Sequence, residues 1–215
     1  MRPGAGLWVI GAAVWTMQPL IIALELIVGR RASASYSYVD NTISDLGYTR
    51  CRMLDGAALC SPWHALMNVG FVYFGCTLAI GALLLGLRRP AGRALTASMI
   101  AWSISGLGSI AVGLVPGNEN VYLHSFVALP IFLAQPTALL LLGVGLLSTH
   151  PRMGRSTLAV AALSAIGVAV FFTLVVTDAS SSIGAFERLA LWPGYTWVSV
   201  VALAAFSEAR SRGRG

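Results

Sequence analysis

Residues 63–87 read WHALMNVGFVYFGCTLAIGALLLGL, an unbroken apolar stretch without a single Asp, Glu, Lys or Arg. As an α-helix it would be roughly 37 Å long at 1.5 Å per residue, more than the roughly 30 Å hydrocarbon core of a bilayer. Outward from it, five more runs meet the same test: about 7–28, 94–115, 122–147, 156–177 and 190–207. Apolar residues make up 57% of the 215-residue chain and charged residues only 10%, against roughly 45–50% and about 25% in ordinary globular chains. That balance excludes a soluble enzyme, a secreted disulfide scaffold, a disordered tail and a coiled coil. No run alternates with period two, which excludes a membrane barrel. The expected fold is all-α: a polytopic six-transmembrane-helix bundle forming one membrane domain over 1–215, with its longest polar stretch as a loop over 29–61.

The first run could be mistaken for a signal peptide, since Arg2 precedes it and Ala32-Ser33-Ala34 follows. Its apolar core exceeds the usual 7–15 residues, and Arg30-Arg31 separates it from that site, so an uncleaved span is expected. Gln18-Pro19 inside it predicts a kink, which could open a cavity.

All 14 basic residues are arginines, and the net charge is +6. They sit in short loops between apolar runs, a pattern of topology signals and headgroup contacts rather than of nucleic-acid binding. Six spans put both termini on one side. Arg2, Arg88, Arg89, Arg93, Arg152, Arg155, Arg210, Arg212 and Arg214 fall there, against Arg30, Arg31, Arg50, Arg52 and Arg188 opposite. Positive-inside then expects cytoplasmic termini in the cell membrane and an outer 29–61 loop. In an oxidising outer compartment Cys51 and Cys60 would form a disulfide; in a reducing one they would be free thiols. Cys76, inside a span, reads as packing.

The two rims differ. The inner loops RRPAGR (88–93) and STHPRMGRS (148–156) hold little beyond arginine, proline and glycine. The outer rim carries Asp40, Asn41, Ser44, Asp45 and Asp55; His64 and Asn68 at i, i+4; Glu119 in a Pro116–Asn120 turn; His124; and Asp178, Ser180–Ser182, Glu187 and Arg188.

Asp45, His64, His124 and Glu25 are the candidate catalytic residues. Histidine is a ready acid/base and metal ligand. Two histidines and a carboxylate with an open position, Asp45, His64 and His124, would make a zinc site, although neither HxxH nor HExxH occurs. The competing readings are structural. Ser44-Asp45-Leu46-Gly47 could be a cap, a turn or a short re-entrant helix, and each histidine could bond a backbone carbonyl. Glu25, an ionisable residue in a span, could pair with Arg30 or another outer arginine. Ser44, Asn68, Glu119, Glu187 and Arg188 are candidates for holding a substrate head; Glu187-Arg188 could equally be an ion pair fixing the last outer loop. Ser103, Ser105, Gly106, Gly108, Ser109 and Gly113 in the third span read as close helix packing. A serine nucleophile there would need a base, with His124 the nearest in sequence.

NTISDLG (41–47), SPWHALMN (61–68), PGNENVYLH (116–124) and GAFERLALWPGYTW (184–197) together resemble the domain-of-unknown-function family numbered 998, small and mostly prokaryotic membrane proteins of about six helices. The resemblance covers almost the whole chain and implies no established activity. It marks ISDLG, Asn68, His124 and Glu187-Arg188 as the positions to test. A looser similarity is to membrane hydrolases of the alkaline ceramidase and adiponectin-receptor type, which use serine, aspartate and three histidines around zinc. This chain departs from them in having six spans and no paired histidines on the last.

Three functions remain open from sequence. The first is an enzyme acting on a lipid or isoprenoid at the outer leaflet, with Asp45, His64, His124 and Arg188 converging in one pocket. The second is a non-catalytic lipid-binding or accessory protein partnering a membrane complex. The third is a small transporter, disfavoured because ionisable residues gather at one face and no half is duplicated.

Overall fold

The first span is broken where Pro19 removes a backbone donor and crowds the preceding turn. In the computed structural model, which describes residues 5–54, 56–87, 92–179 and 181–212, this span is two helices, α1 (Ala5–Thr16) and α2 (Leu20–Gly29). The break is filled rather than open. The buried Gln18 amide donates to Phe74 O and to Thr77 Oγ1 (2.9 Å), and Trp15 Nε1 donates to Leu78 O. Ser199 Oγ donates to Trp15 O. Thus the kink is stapled to the spans on both sides of it.

The other five spans are continuous: α3 (His64–Gly86), α4 (Arg93–Leu114), α5 (Val121–Leu146), α6 (Pro151–Val176) and α7 (Ile183–Arg212). Among the described residues six helical spans, with Gly6–Gly29 counted as one, are long and apolar enough to cross a membrane. They pack as a closed ring in the order α1, α3, α4, α5, α6, α7 and back to α1, with α5 also touching α7. The α3–α4 contact is close because Gly75 and Gly106 face each other. A Cβ on either would meet the other's carbonyl oxygen at 2.6 Å. Serines add interhelical bonds, Ser98 to Ala138 O and Ser109 to Phe71 O, as packing residues in a bundle do.

Two helices run further than their apolar stretches. α6 starts at Pro151 rather than near 156, since proline suits the first helical position and Arg152 and Arg155 lie on exposed positions. α7 starts at Ile183, seven residues before the apolar run. Glu187 and Arg188 are therefore inside a helix, and both are buried.

Loop one, the connection between α2 and α3, closes one end of the ring. Ser44–Gly47 forms one 3-10 turn. The strands β1 (Arg52–Leu54) and β2 (Ala57–Leu59) pair antiparallel, a hairpin that the sequence pattern did not announce. Cys51 and Cys60 flank it in a disulfide (S–S 2.08 Å), while Cys76 is a free, partly buried thiol. Of the residues named from sequence, Arg2, Arg88, Arg89, Arg214, Asp55 and Ser180 lie outside the described residues.

Candidate functional site

The polar residues of loop one and of the helix ends beside it sort into two clusters. The first is centred on Arg188, in the second turn of α7. Its Nε donates to Glu25 Oε1 at 2.8 Å, Nη1 to Tyr38 O (2.6 Å) and Asn41 O (2.9 Å), and Nη2 to the Tyr36 hydroxyl (2.6 Å). The second Glu25 oxygen accepts from Trp192 Nε1 at 2.8 Å. Glu25 and Arg188 are 1% and 6% exposed, so neither charge is left to water, and the low-dielectric interior strengthens the pair. Here loop one is tied to α7; Ala185 N also donates to Val39 O, and Ser182 N to Asp40 Oδ1. Of the two pairings the sequence left for Glu25, Arg30 or another arginine of the same rim, the structure has the second: Arg188, 163 positions away.

The second cluster faces a cavity. His124 begins the second turn of α5, whose first turn is capped by Asn120 through the Leu123 N–H. The ring lies 2.6 Å from Val115 O through Nδ1 and 3.0 Å from Ser44 Oγ through Nε2. A carbonyl only accepts, so Nδ1 carries a proton, and with that tautomer Nε2 can accept from the Ser44 hydroxyl. Ser44 opens the 3-10 turn. The residue before it is fixed by Glu187, whose Oε2 accepts the Ile43 N–H. Asp45 Oδ2 accepts the Thr42 N–H, and Thr42 Oγ1 accepts the Asp45 N–H. The turn is thus locked on both sides of Ser44.

Beside this pair lies a cavity of about 370 Å³ between loop one, α5 and α6. Ser44, Tyr48, His124, Ser125 and Glu187 line its polar end; Phe126, Leu129, Phe132, Phe171, Phe172 and Val175 line the rest. The rings of Phe132 and Phe171 stack at 4.7 Å. Burial above all, then the Asp45 charge, raises the Tyr48 hydroxyl above the ordinary tyrosine value, so it stays neutral. A smaller inner cavity of about 30 Å³ shares Ser44, Ala128, Phe132 and Glu187 with the first and reaches Glu25 and Tyr195.

The zinc expectation fails on geometry. Among the described residues, no group of three His, Cys, Asp or Glu side chains could hold a metal ion. Asp45 is paired with Arg52 (3.0 Å) and capped by Thr42. His64 turns Nδ1 to Ser61 O (3.0 Å) at the start of α3. The residues expected to converge with His124 do not join it around the large cavity: Asp45, His64 and Arg188 are absent from its lining. Asn68 donates to Gly47 O, and Glu119 accepts from Thr49 at the exposed rim. His124, Ser44 and Glu187 are the site candidates that the fold brings together there. The serine that meets His124 is Ser44 rather than one of the third span, where Ser103 and Ser109 donate to Met99 O and Phe71 O.

Sequence reasoning missed the aromatic wall. One signal was available: His124, Ala128 and Phe132 recur at i, i+4, i+8, one stripe of α5. The Phe171-Phe172 pair near the C-terminal end of α6 is the other half and carries no motif.

The fold and site define a multi-span membrane protein with a cavity in which an apolar wall meets polar groups at one end. A family model described as "Protein of unknown function (DUF998)" matches residues 9–204, and the chain belongs to that family. No curated protein and no solved structure matches the chain.

Proposed function

We propose that this protein is a lipid-directed enzyme of the cell membrane, with both termini in the cytoplasm and its site on the outer face. The observation that carries the reading is the cavity. Its volume falls in the roughly 300–1,000 Å³ range of small-molecule sites, and a polar end meets a phenylalanine wall. Phe126, Leu129 and Val175 are lining residues that are also exposed on the apolar flank of the bundle, so an acyl or isoprenoid chain can enter sideways from the bilayer. His124, oriented by Val115 O, supplies acid/base chemistry where a substrate's head would lie. The orientation rests on two supports: nine arginines on the inner side against five on the outer, and the Cys51–Cys60 disulfide, which persists in an oxidising compartment.

A second reading, a non-catalytic lipid-binding or accessory subunit, draws on the Arg188 cluster, where outer polar groups serve to join loop one to the helices.

Proteoliposomes made with a total membrane lipid extract test the choice. Lipid mass spectrometry is expected to find one lipid class consumed by the native protein and spared by His124→Gln. No consumption, with lipid still co-purifying, would replace the enzyme reading by the accessory one.

A further inference from the structure

The structure assigns Ser44 as a nucleophile and His124 as its base, with a long-chain acyl ester as substrate; this deepens the lipid-enzyme reading and rests on it. Three observations carry it. The Ser44 hydroxyl and His124 Nε2 are 3.0 Å apart, within the reach a nucleophile and base require. The other ring nitrogen is held by Val115 O at 2.6 Å, which fixes the tautomer that leaves Nε2 able to take a proton. Both residues line the large cavity, whose apolar walls suit a chain rather than a sugar or a nucleotide.

The chemistry balances with water as the only co-reactant. Ser44 Oγ attacks the ester carbonyl carbon while its proton passes to His124 Nε2. The tetrahedral adduct collapses, the ester C–O bond breaks, and the leaving alkoxide takes that proton, giving an acyl-serine and a free alcohol. Water then attacks the acyl carbon and gives a proton to Nε2. That proton returns to Ser44 Oγ as the carboxylic acid leaves. Glu187 is a positioning residue: it holds the Ile43 N–H, one residue before the nucleophile.

The test treats the purified full chain in detergent with a long-chain alkyl fluorophosphonate, maps adducts by peptide mass, and measures lipid turnover on the same samples. An adduct on Ser44 is expected, absent in Ser44→Ala and at least about 100-fold slower in His124→Gln, the usual size of a lost general base. Ser44→Cys guards against a misfolded alanine variant; it is expected to exchange the phosphonate adduct for one with an alkyl iodoacetamide at the same position. A native protein that elutes as a folded species but gives no Ser44 adduct overturns the assignment. So does lipid turnover that survives in Ser44→Ala, which would leave His124 activating water directly and the lipid-enzyme reading standing. An adduct on Ser44 with no lipid consumed overturns the acyl-ester substrate and the parent reading together, but not the nucleophile.

Discussion

Glu187 and Arg188 are adjacent in α7, yet they serve opposite kinds of site. Arg188 turns into a closed cluster in which Glu25, two carbonyls and a tyrosine hydroxyl surround the guanidinium. Glu187 accepts a single hydrogen bond, from the Ile43 N–H, and lines the cavity that Ser44 and His124 also line. A buried charge demands partners, and the more completely they are supplied the less remains for a ligand. Chemistry needs the reverse, an oriented group with space beside it. The difference separates residues that looked equivalent as outer-rim polar groups.

The contrast makes the Arg188 cluster the place where stability should be most fragile. Arg188→Ala is expected to cost about 3–5 kcal/mol, because Glu25 would be left buried and unpaired; thermal unfolding in detergent would read this as lost monomer. A loss under 1 kcal/mol would mean that the cluster is not closed. Next in size is the disulfide. Cys51→Ser is expected to cost roughly 2–3 kcal/mol on the chain-entropy model, and hydrogen exchange should show the loss confined to the hairpin. At the open site the cost should be small: Ser44→Ala removes one partly exposed hydrogen bond, worth about 0.5–1.5 kcal/mol. A far larger melting shift would make Ser44–His124 a structural tie like the Arg188 cluster.

The smallest effects are with pH. Asp40 is held below the usual aspartate value by the Ser182 N–H and the Ser37 hydroxyl. Its contribution is present above the ordinary value and is lost as pH falls through the lowered one, so Asp40→Asn should flatten the acid limb of a stability profile. Burial raises the Tyr36 hydroxyl above its ordinary value of 10.0. That contribution is intact below pH 10 and fades as pH climbs above it, so Tyr36→Phe should extend the alkaline limb.

The spans were legible because lipid leaves so few solutions: an apolar run long enough to cross must be helical. Their ends were legible only where charge and apolarity change together. At α7 they do not. Glu187-Arg188 reads locally as a loop, and the partner that lets the pair be buried, Glu25, lies in the first span. The site suffered from the same distance. Ser44 and His124 were each visible as polar residues on one rim, but they are 80 positions apart, and no local spacing announces such a pair. The zinc expectation arose from the same gap: three ligand-type residues on one side do not make a site unless the fold aims them at one point.

The most direct measurement of the central claim, that the cavity receives a lipid chain beside His124, is photo-crosslinking in proteoliposomes. The probe is a phospholipid with a diazirine in its acyl chain. Crosslinks are expected to concentrate on the peptides holding Phe126, Leu129, Phe172 and Val175, and to fall at least tenfold in Val175→Trp, which places a ring at the cavity's exposed edge. Crosslinks spread evenly over every outward helix face, and unchanged in that variant, would contradict the account.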